Sequence, residues 1–364
     1  MKPARIVKPA DVLRGAGRTE HPAARVPKGP RAALLLTLSV MALLLLCALS
    51  MAFGALNVPL GQVWDTLLGN APSSRIDNVI WSVRLPRTAI GLATGAALGL
   101  SGALMQALTR NPLADPGILG VSAGAAFAVV VSVGVLGIGS AYGYIWFAFA
   151  GALVASVLVQ FLGGLGRSGS TPVKLALAGV AVTSLLFSLT SAVALTDPDA
   201  LNRYRFWSAG SLANQDTEVL LRVLPFLAVG AVLALACAPA LNRLALGDDV
   251  AKSLGLRIGL VRTQGVVAVT LLTGGAVAVI GPVVFVGLVV PHIARVLAQY
   301  AGIGPDHRWL LPLSAVLAPC LLLTADIAGR LIDRPVEIQA GVLVAFIGGP
   351  FFIALVRRRR LAEV

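Results

Sequence analysis

Long uncharged runs separated by short polar breaks fill the chain from residue 32 almost to its end. Ten such runs stand out, at about 32–53, 86–108, 118–138, 144–165, 174–195, 220–238, 263–281, 283–299, 310–328 and 340–355. Most are long enough, as helices, to cross a hydrocarbon core about 30 Å thick. The expected fold class is therefore all-α, a polytopic membrane protein of about ten transmembrane helices. An even number of spans puts both termini on one side. With that topology 21 of the 29 Lys and Arg residues fall on the side of the termini and 8 on the other. The excess of basic residues marks the terminal side as cytoplasmic.

The stretch from Arg84 to Gly124 organises the rest. Two arginines flank Pro86, and an uncharged run follows in which Gly91, Gly95 and Gly99 recur every fourth residue, with Ser101, Gly102 and Ala103 behind them. On a helix this spacing makes a groove where a second backbone approaches closely. The polar break Asn111 to Pro116 then leads into another small-sided run. Two tightly packed spans joined by a short, proline-bounded loop are expected here.

Composition agrees with the pattern. The chain of 364 residues is 57% hydrophobic and 12% charged, with a mean hydropathy of +0.88. The net charge of +13 does not read as a nucleic-acid footprint, because many of its charges sit in the tails and short loops. Residues 1–31 carry eight basic residues against Asp11 and Glu20 amid Pro, Gly and Ala, which reads as a disordered basic cytoplasmic tail. Residues 32–358 form the membrane domain, and 359–364 a second cytoplasmic tail. The first run is longer than a signal-peptide core and lacks a clean cleavage site, so it reads as an uncleaved span. Cys47, Cys237 and Cys320 lie within apolar runs and read as small buried residues. The linker before Lys174 approaches a phosphate-loop spacing, but Ser170 stands at the lysine position and no strand precedes it, so it is not a nucleotide site.

The chain resembles the permease subunits of type II ABC importers for iron–siderophore, haem and cobalamin, the FecCD type. The residues that carry the resemblance are Arg84-Leu85-Pro86-Arg87, Gln106, Leu108, Asn111-Pro112-Leu113-Ala114, Pro116 and Leu119-Gly120. It extends over roughly residues 30–358 and includes Gly287, Pro291, His292 and Arg295, and the closing stretch from Arg334, where Ile338 and Gln339 replace the usual Leu-Pro and Ala345 replaces Thr. The resemblance implies an importer subunit that binds no cofactor itself. Its expected partners are a second permease (identical or sister), two ATPase subunits that hold ATP-Mg, an extracytoplasmic substrate-binding protein and membrane lipid, without nucleic acid. The expected place is the bacterial cytoplasmic (inner) membrane. Ferric siderophore is the expected cargo, with haem or cobalamin as the alternatives.

Three candidate sites follow. Residues 241–262 read as a short amphipathic helix capped by Asp248 or Asp249, with Val250 and Leu254 on one face and Gly255 placed to stop it. By resemblance this is the ATPase-coupling segment, with Leu246, Gly247, Asp248, Asp249, Ala251, Leu254 and Gly255 at its core. Arg84, Arg87 and Arg330 match arginines that dock the binding protein, which implies exposed guanidinium groups ready for carboxylates. The fifth span, with Thr183, Ser184, Ser188, Thr190 and Ser191, matches the helix lining the translocation path. Asp326, the one acidic residue placed inside a span, raises a different class, a proton-coupled secondary transporter. Its nearness to Arg330 favours a structural ion pair. A lone His292 near a cytoplasmic helix end reads as structural rather than as a haem ligand.

Overall fold

A computed structural model describes residues 28–54, 56–138, 140–165, 172–213, 215, 217–332 and 336–360. Nearly all of the basic tail, the pseudo-phosphate loop at 166–171 and residues 361–364 of the C-terminal tail lie outside them. Among the described residues seven helical segments are long and apolar enough to cross a membrane, and three more apolar helices are shorter. They are α1 (Lys28–Ala52), α4 (Leu85–Thr109), α5 (Val121–Gly134), α6 (Ala141–Gly164), α7 (Pro172–Thr196), α9 (Thr217–Ala236), α12 (Ile258–Ile280), α13 (Val286–Tyr300), α14 (His307–Ile332) and α15 (Ala340–Arg360). These coincide with the ten expected spans. Between them lie short helices α2 (Leu60–Leu67), α3 (Ser74–Asn78), α8 (Pro198–Ser208), α10 (Ala238–Leu244) and α11 (Asp248–Ser253).

Helix α4 stands at the centre, packed on α14, α12, α13 and α9. Its glycines explain how. A Cβ at Gly95 would lie 2.7 Å from Pro319 Cα, at Gly99 2.3 Å from Ser314 O, and at Gly102 2.1 Å from Gly287 O. Any side chain there would push the backbones apart, so small residues bring α14 and α13 to within van der Waals reach of α4. The same device joins α5 to α6, where Gly124 and Gly151 each meet the other's carbonyl oxygen. By contrast α1 exposes Leu34, Leu38, Met41, Leu44 and Leu45 by more than half. A helix whose backbone bonds are internal and whose outer face is apolar is at home against lipid.

Two connections differ from the expectation. The second span does not begin at Pro86. Helix α3, N-capped by Ser73, runs through a π-helical turn at Val79–Arg84 straight into α4. Pro86 is the second residue of α4, just after the π-helical turn, where the change of hydrogen-bond register accommodates its missing N–H. The eighth span begins at Val286 rather than 283: Gly281 takes φ +75° with Trp207 O 2.1 Å from where a Cβ would lie, and 281–284 stay non-helical. The outer segment after α7 is also helical, as α8, because Asp197 caps it by accepting from the Asp199 amide at 3.0 Å.

Candidate functional site

The outer ends of α1, α4 and α14 meet around one carboxylate. Asp326, 1% exposed, receives Arg87 Nη2 on Oδ1 at 2.8 Å and Arg330 Nη2 on Oδ2 at 2.9 Å. Arg87 also reaches Glu337 Oε2 at 2.7 Å. Arg330 stands one turn after Asp326 on α14, so the pair is built into the helix; the sequence-based ion pair holds, and Arg87 and Glu337 extend it.

The remaining guanidinium hydrogens go to α1. Its last carbonyls have no partners within the helix. Arg330 Nη1 donates to Ser50 O at 3.0 Å and Phe53 O at 2.9 Å, and Arg84 Nη1 donates to Ala52 O at 2.9 Å and also to Met51 O. Arg84 Nη2 bonds Leu56 O. Two cations thus close the negative end of α1, where the helix dipole favours them. Ser50 Oγ accepts from Arg330 Nη2 at 2.9 Å and pairs with Thr88 Oγ1 at 2.8 Å. This corrects the expectation of exposed docking groups: Arg84, Arg87 and Arg330 are 4%, 7% and 3% exposed. Their charge is used to join three helices, at an α1 end that is otherwise closed by the Val58 amide on Ala52 O at 3.0 Å.

At the opposite end, the segment after α9 forms two short helices, α10 and α11. Gly255 (φ +75°) ends α11 with paired bonds, Gly255 N to Lys252 O at 2.9 Å and Leu256 N to Ala251 O at 3.0 Å, the arrangement that favours glycine. The N-cap differs from the expectation. It is Gly247 (φ +104°), without a side-chain bond, while Asp248 and Asp249 lie in the first turn. Asp248 is held instead by two arginines: Arg110 Nη2 to Oδ1 and Arg262 Nη2 to Oδ2, each at 2.9 Å. Ala251 is fully buried, whereas Leu246, Val250 and Leu254 are 62%, 46% and 52% exposed. Val250 and Leu254 stand one turn apart on the outward side of α11, and Leu246 is exposed in the turn just before it. Beside the segment, Asn242 of α10 donates to Asp306 Oδ1 at 2.6 Å and its Oδ1 accepts the His307 amide at 2.9 Å. Burial pushes the Asp306 carboxyl up, but the Arg308 amide, the Asn242 amide and the charges of Arg308 and His307 outweigh it and hold its pKa below the ordinary value.

A cavity of about 240 Å³ lies behind this segment between α4, α6, α7 and α12, with Leu108, Gln160, Leu175, Arg262 and Val266 among its walls.

Two stretches singled out in the sequence prove to be one joint. Pro291 of α13 has no N–H, so the Gly287 carbonyl four residues earlier loses its helical partner. Gln106 Nε2 of α4 supplies the bond, at 3.2 Å to Gly287 O and 3.2 Å to Leu288 O, while its Oε1 accepts Arg295 Nη2 at 2.6 Å. Sequence reasoning named all four residues but not their contact; a proline four places after a glycine, with an amide on a neighbouring small-faced helix, was the available signal. His292 sets its ring edge-on to Phe351 of α15, with centroids 5.7 Å apart. On α7, Ser184 and Ser188 are exposed and Thr183 and Ser191 half-buried. Ser188 donates to Ser184 O at 2.9 Å and Ser191 to Phe187 O at 3.0 Å. Thr190, named with them, is buried.

Residues 42–358 match the FecCD transport family. The chain is 47% identical over 321 residues to the ferric enterobactin transport system permease protein FepD of Escherichia coli (strain K12), an alignment covering 88% of this chain and 94% of that protein. It is 42% identical over 324 residues to the iron(3+)-hydroxamate import system permease protein FhuB of Bacillus subtilis (strain 168), covering 88% and 83%. A solved inward-facing metal-chelate type ABC transporter superposes with a TM-score of 0.77 at 28% identity, covering 90% of this chain and 99% of that one. With its helical membrane architecture, its small-faced central helix and a family match along nearly its whole membrane domain, the chain belongs to the FecCD transport family, the membrane permeases of ABC importers.

Proposed function

We propose that this chain is the permease subunit of an ATP-driven importer that moves a ferric siderophore across the cytoplasmic membrane of a bacterium by alternating access. The observation that carries the reading is the two-faced segment α10–α11. It is braced inward by Ala251 and Asp248 and presents Leu246, Val250 and Leu254 outward. Exposed apolar side chains on and beside a short helix suit the groove of a partner, here a cytoplasmic ATPase that binds ATP-Mg. The cargo follows the relatives, a ferric enterobactin permease and an iron(3+)-hydroxamate permease.

The permease pairs with a second copy or a sister subunit, and α7, with Ser184 and Ser188 on its outer side, faces the path between them. A binding protein delivers the chelate to the outer face. In this reading Arg84, Arg87 and Arg330 hold that face together from within rather than meeting the binding protein as free cations. The test is assembly. Val250→Asp with Leu254→Asp in the otherwise intact complex should abolish co-purification of the ATPase while leaving the permease folded. Retention of the ATPase at the wild-type level would remove this face from the interface.

A further inference from the structure

Helix α11 has six residues and few ways to pass a load to the spans. Inward it offers one buried methyl, Ala251, and one carboxylate, Asp248. A methyl in a groove slides under shear; a carboxylate with a guanidinium on each oxygen does not shift without breaking directed bonds. The two guanidiniums belong to different spans. Arg110 is the C-terminal cap of α4, in the left-handed region at φ 51°, and Arg262 lies in the second turn of α12. Helix α4 is the one packed through its glycines on α14 and α13, and α12 packs on α4, α6 and α9. Arg262 also forms part of the wall of the cavity between α4, α6, α7 and α12, so a shift at Asp248 reaches that space.

We infer that Asp248, through Arg110 and Arg262, is the link that carries displacement of α11 into α4 and α12. All three are positioning residues: the outward apolar side chains meet the ATPase, and this inward clamp transmits what they receive. The inference rests on the permease reading above. The pairs are partly exposed, at 28–41% of their side chains, and such pairs add little to stability. That separates transmission from folding.

The test uses proteoliposomes holding the whole complex, with its binding protein outside and ATP inside. Uptake of radiolabelled ferric enterobactin and a ferric hydroxamate is measured with ATP hydrolysis in the same vesicles. Asp248→Asn should lower uptake per ATP by roughly fivefold or more, the range of a coupling energy between sites. Thermal midpoint and ATPase co-purification should stay at wild-type values. Arg110→Gln and Arg262→Gln should lower the ratio in the same direction, and the triple variant should be no worse than Asp248→Asn, since all remove one clamp. An unchanged ratio in Asp248→Asn, losses that multiply in the triple variant, or loss of the ATPase itself would each overturn the inference. Wild-type vesicles with no ATP-driven uptake of either chelate would overturn the ferric-siderophore reading instead, a result read before any variant is compared.

Discussion

Removing the charge of Asp326 tests the outer cluster most sharply. In the wild type Arg87 and Arg330 face Asp326 and Glu337, and Arg84 beside Arg330 makes an excess of one positive charge that the carbonyls at the end of α1 absorb. Asp326→Asn raises that excess to two. The variant amide offers one acceptor oxygen where the carboxylate received three arginine nitrogens, and it brings donors that face other donors. Breaking a buried ion pair from one side costs about 3–5 kcal/mol. That is a large share of the roughly 5–15 kcal/mol that keeps an ordinary protein folded. The expected result is a large drop in folded, membrane-inserted protein and a clear loss of thermal resistance in lipid nanodiscs. Transport per folded molecule should remain, with unchanged dependence on the pH gradient, because the carboxylate binds helices and not protons in transit. Stability within about 0.5 kcal/mol of wild type, the scatter of an ordinary surface change, would refute the cluster's structural role. Normal folding with uptake lost and pH-gradient dependence abolished would instead make Asp326 a proton site.

Gly102→Ala places a methyl 2.1 Å from Gly287 O and should destabilise the α4–α13 contact by about 1–3 kcal/mol, read as a lower thermal midpoint of the detergent-solubilised protein. Gln106→Leu leaves the Gly287 carbonyl opposite Pro291 without its donor and should cost about 1–3 kcal/mol, read in the same assay; a variant as stable as wild type would show that the proline gap needs no partner. Asp306 has a folded pKa below its unfolded one, so its contribution is present above the unfolded carboxylate pKa and disappears as pH falls through the lower folded value. Wild type should therefore lose stability, relative to Asp306→Asn, on acidification below about pH 4, which melting curves across pH will register.

The spans were legible because lipid demands long apolar helices and leaves hydrophobic runs as their record. The central place of α4 was legible for a related reason: Gly91, Gly95 and Gly99 have no other use on a lipid-facing helix. What the sequence hid were contacts between distant segments. Arg84 and Arg330 look like surface cations until α1, which carries no basic residue in its last turn, brings its last carbonyls to them. Arg110 and Arg262 look like loop charges until α11 places Asp248 between them. Short helices such as α8 and α2 lie in the breaks between the runs, where their few apolar residues give no hydropathy signal.

The central claim is ATP-driven import of an iron chelate, and uptake measures it directly. Proteoliposomes with this permease, its sister if one is required, the cognate ATPase and internal ATP would be offered labelled ferric siderophores, haem and cobalamin in parallel, each with its binding protein. The account predicts ATP-dependent accumulation of a ferric siderophore alone. Accumulation of haem or cobalamin would overturn the cargo, and uptake that follows an imposed pH gradient without ATP would contradict the account itself.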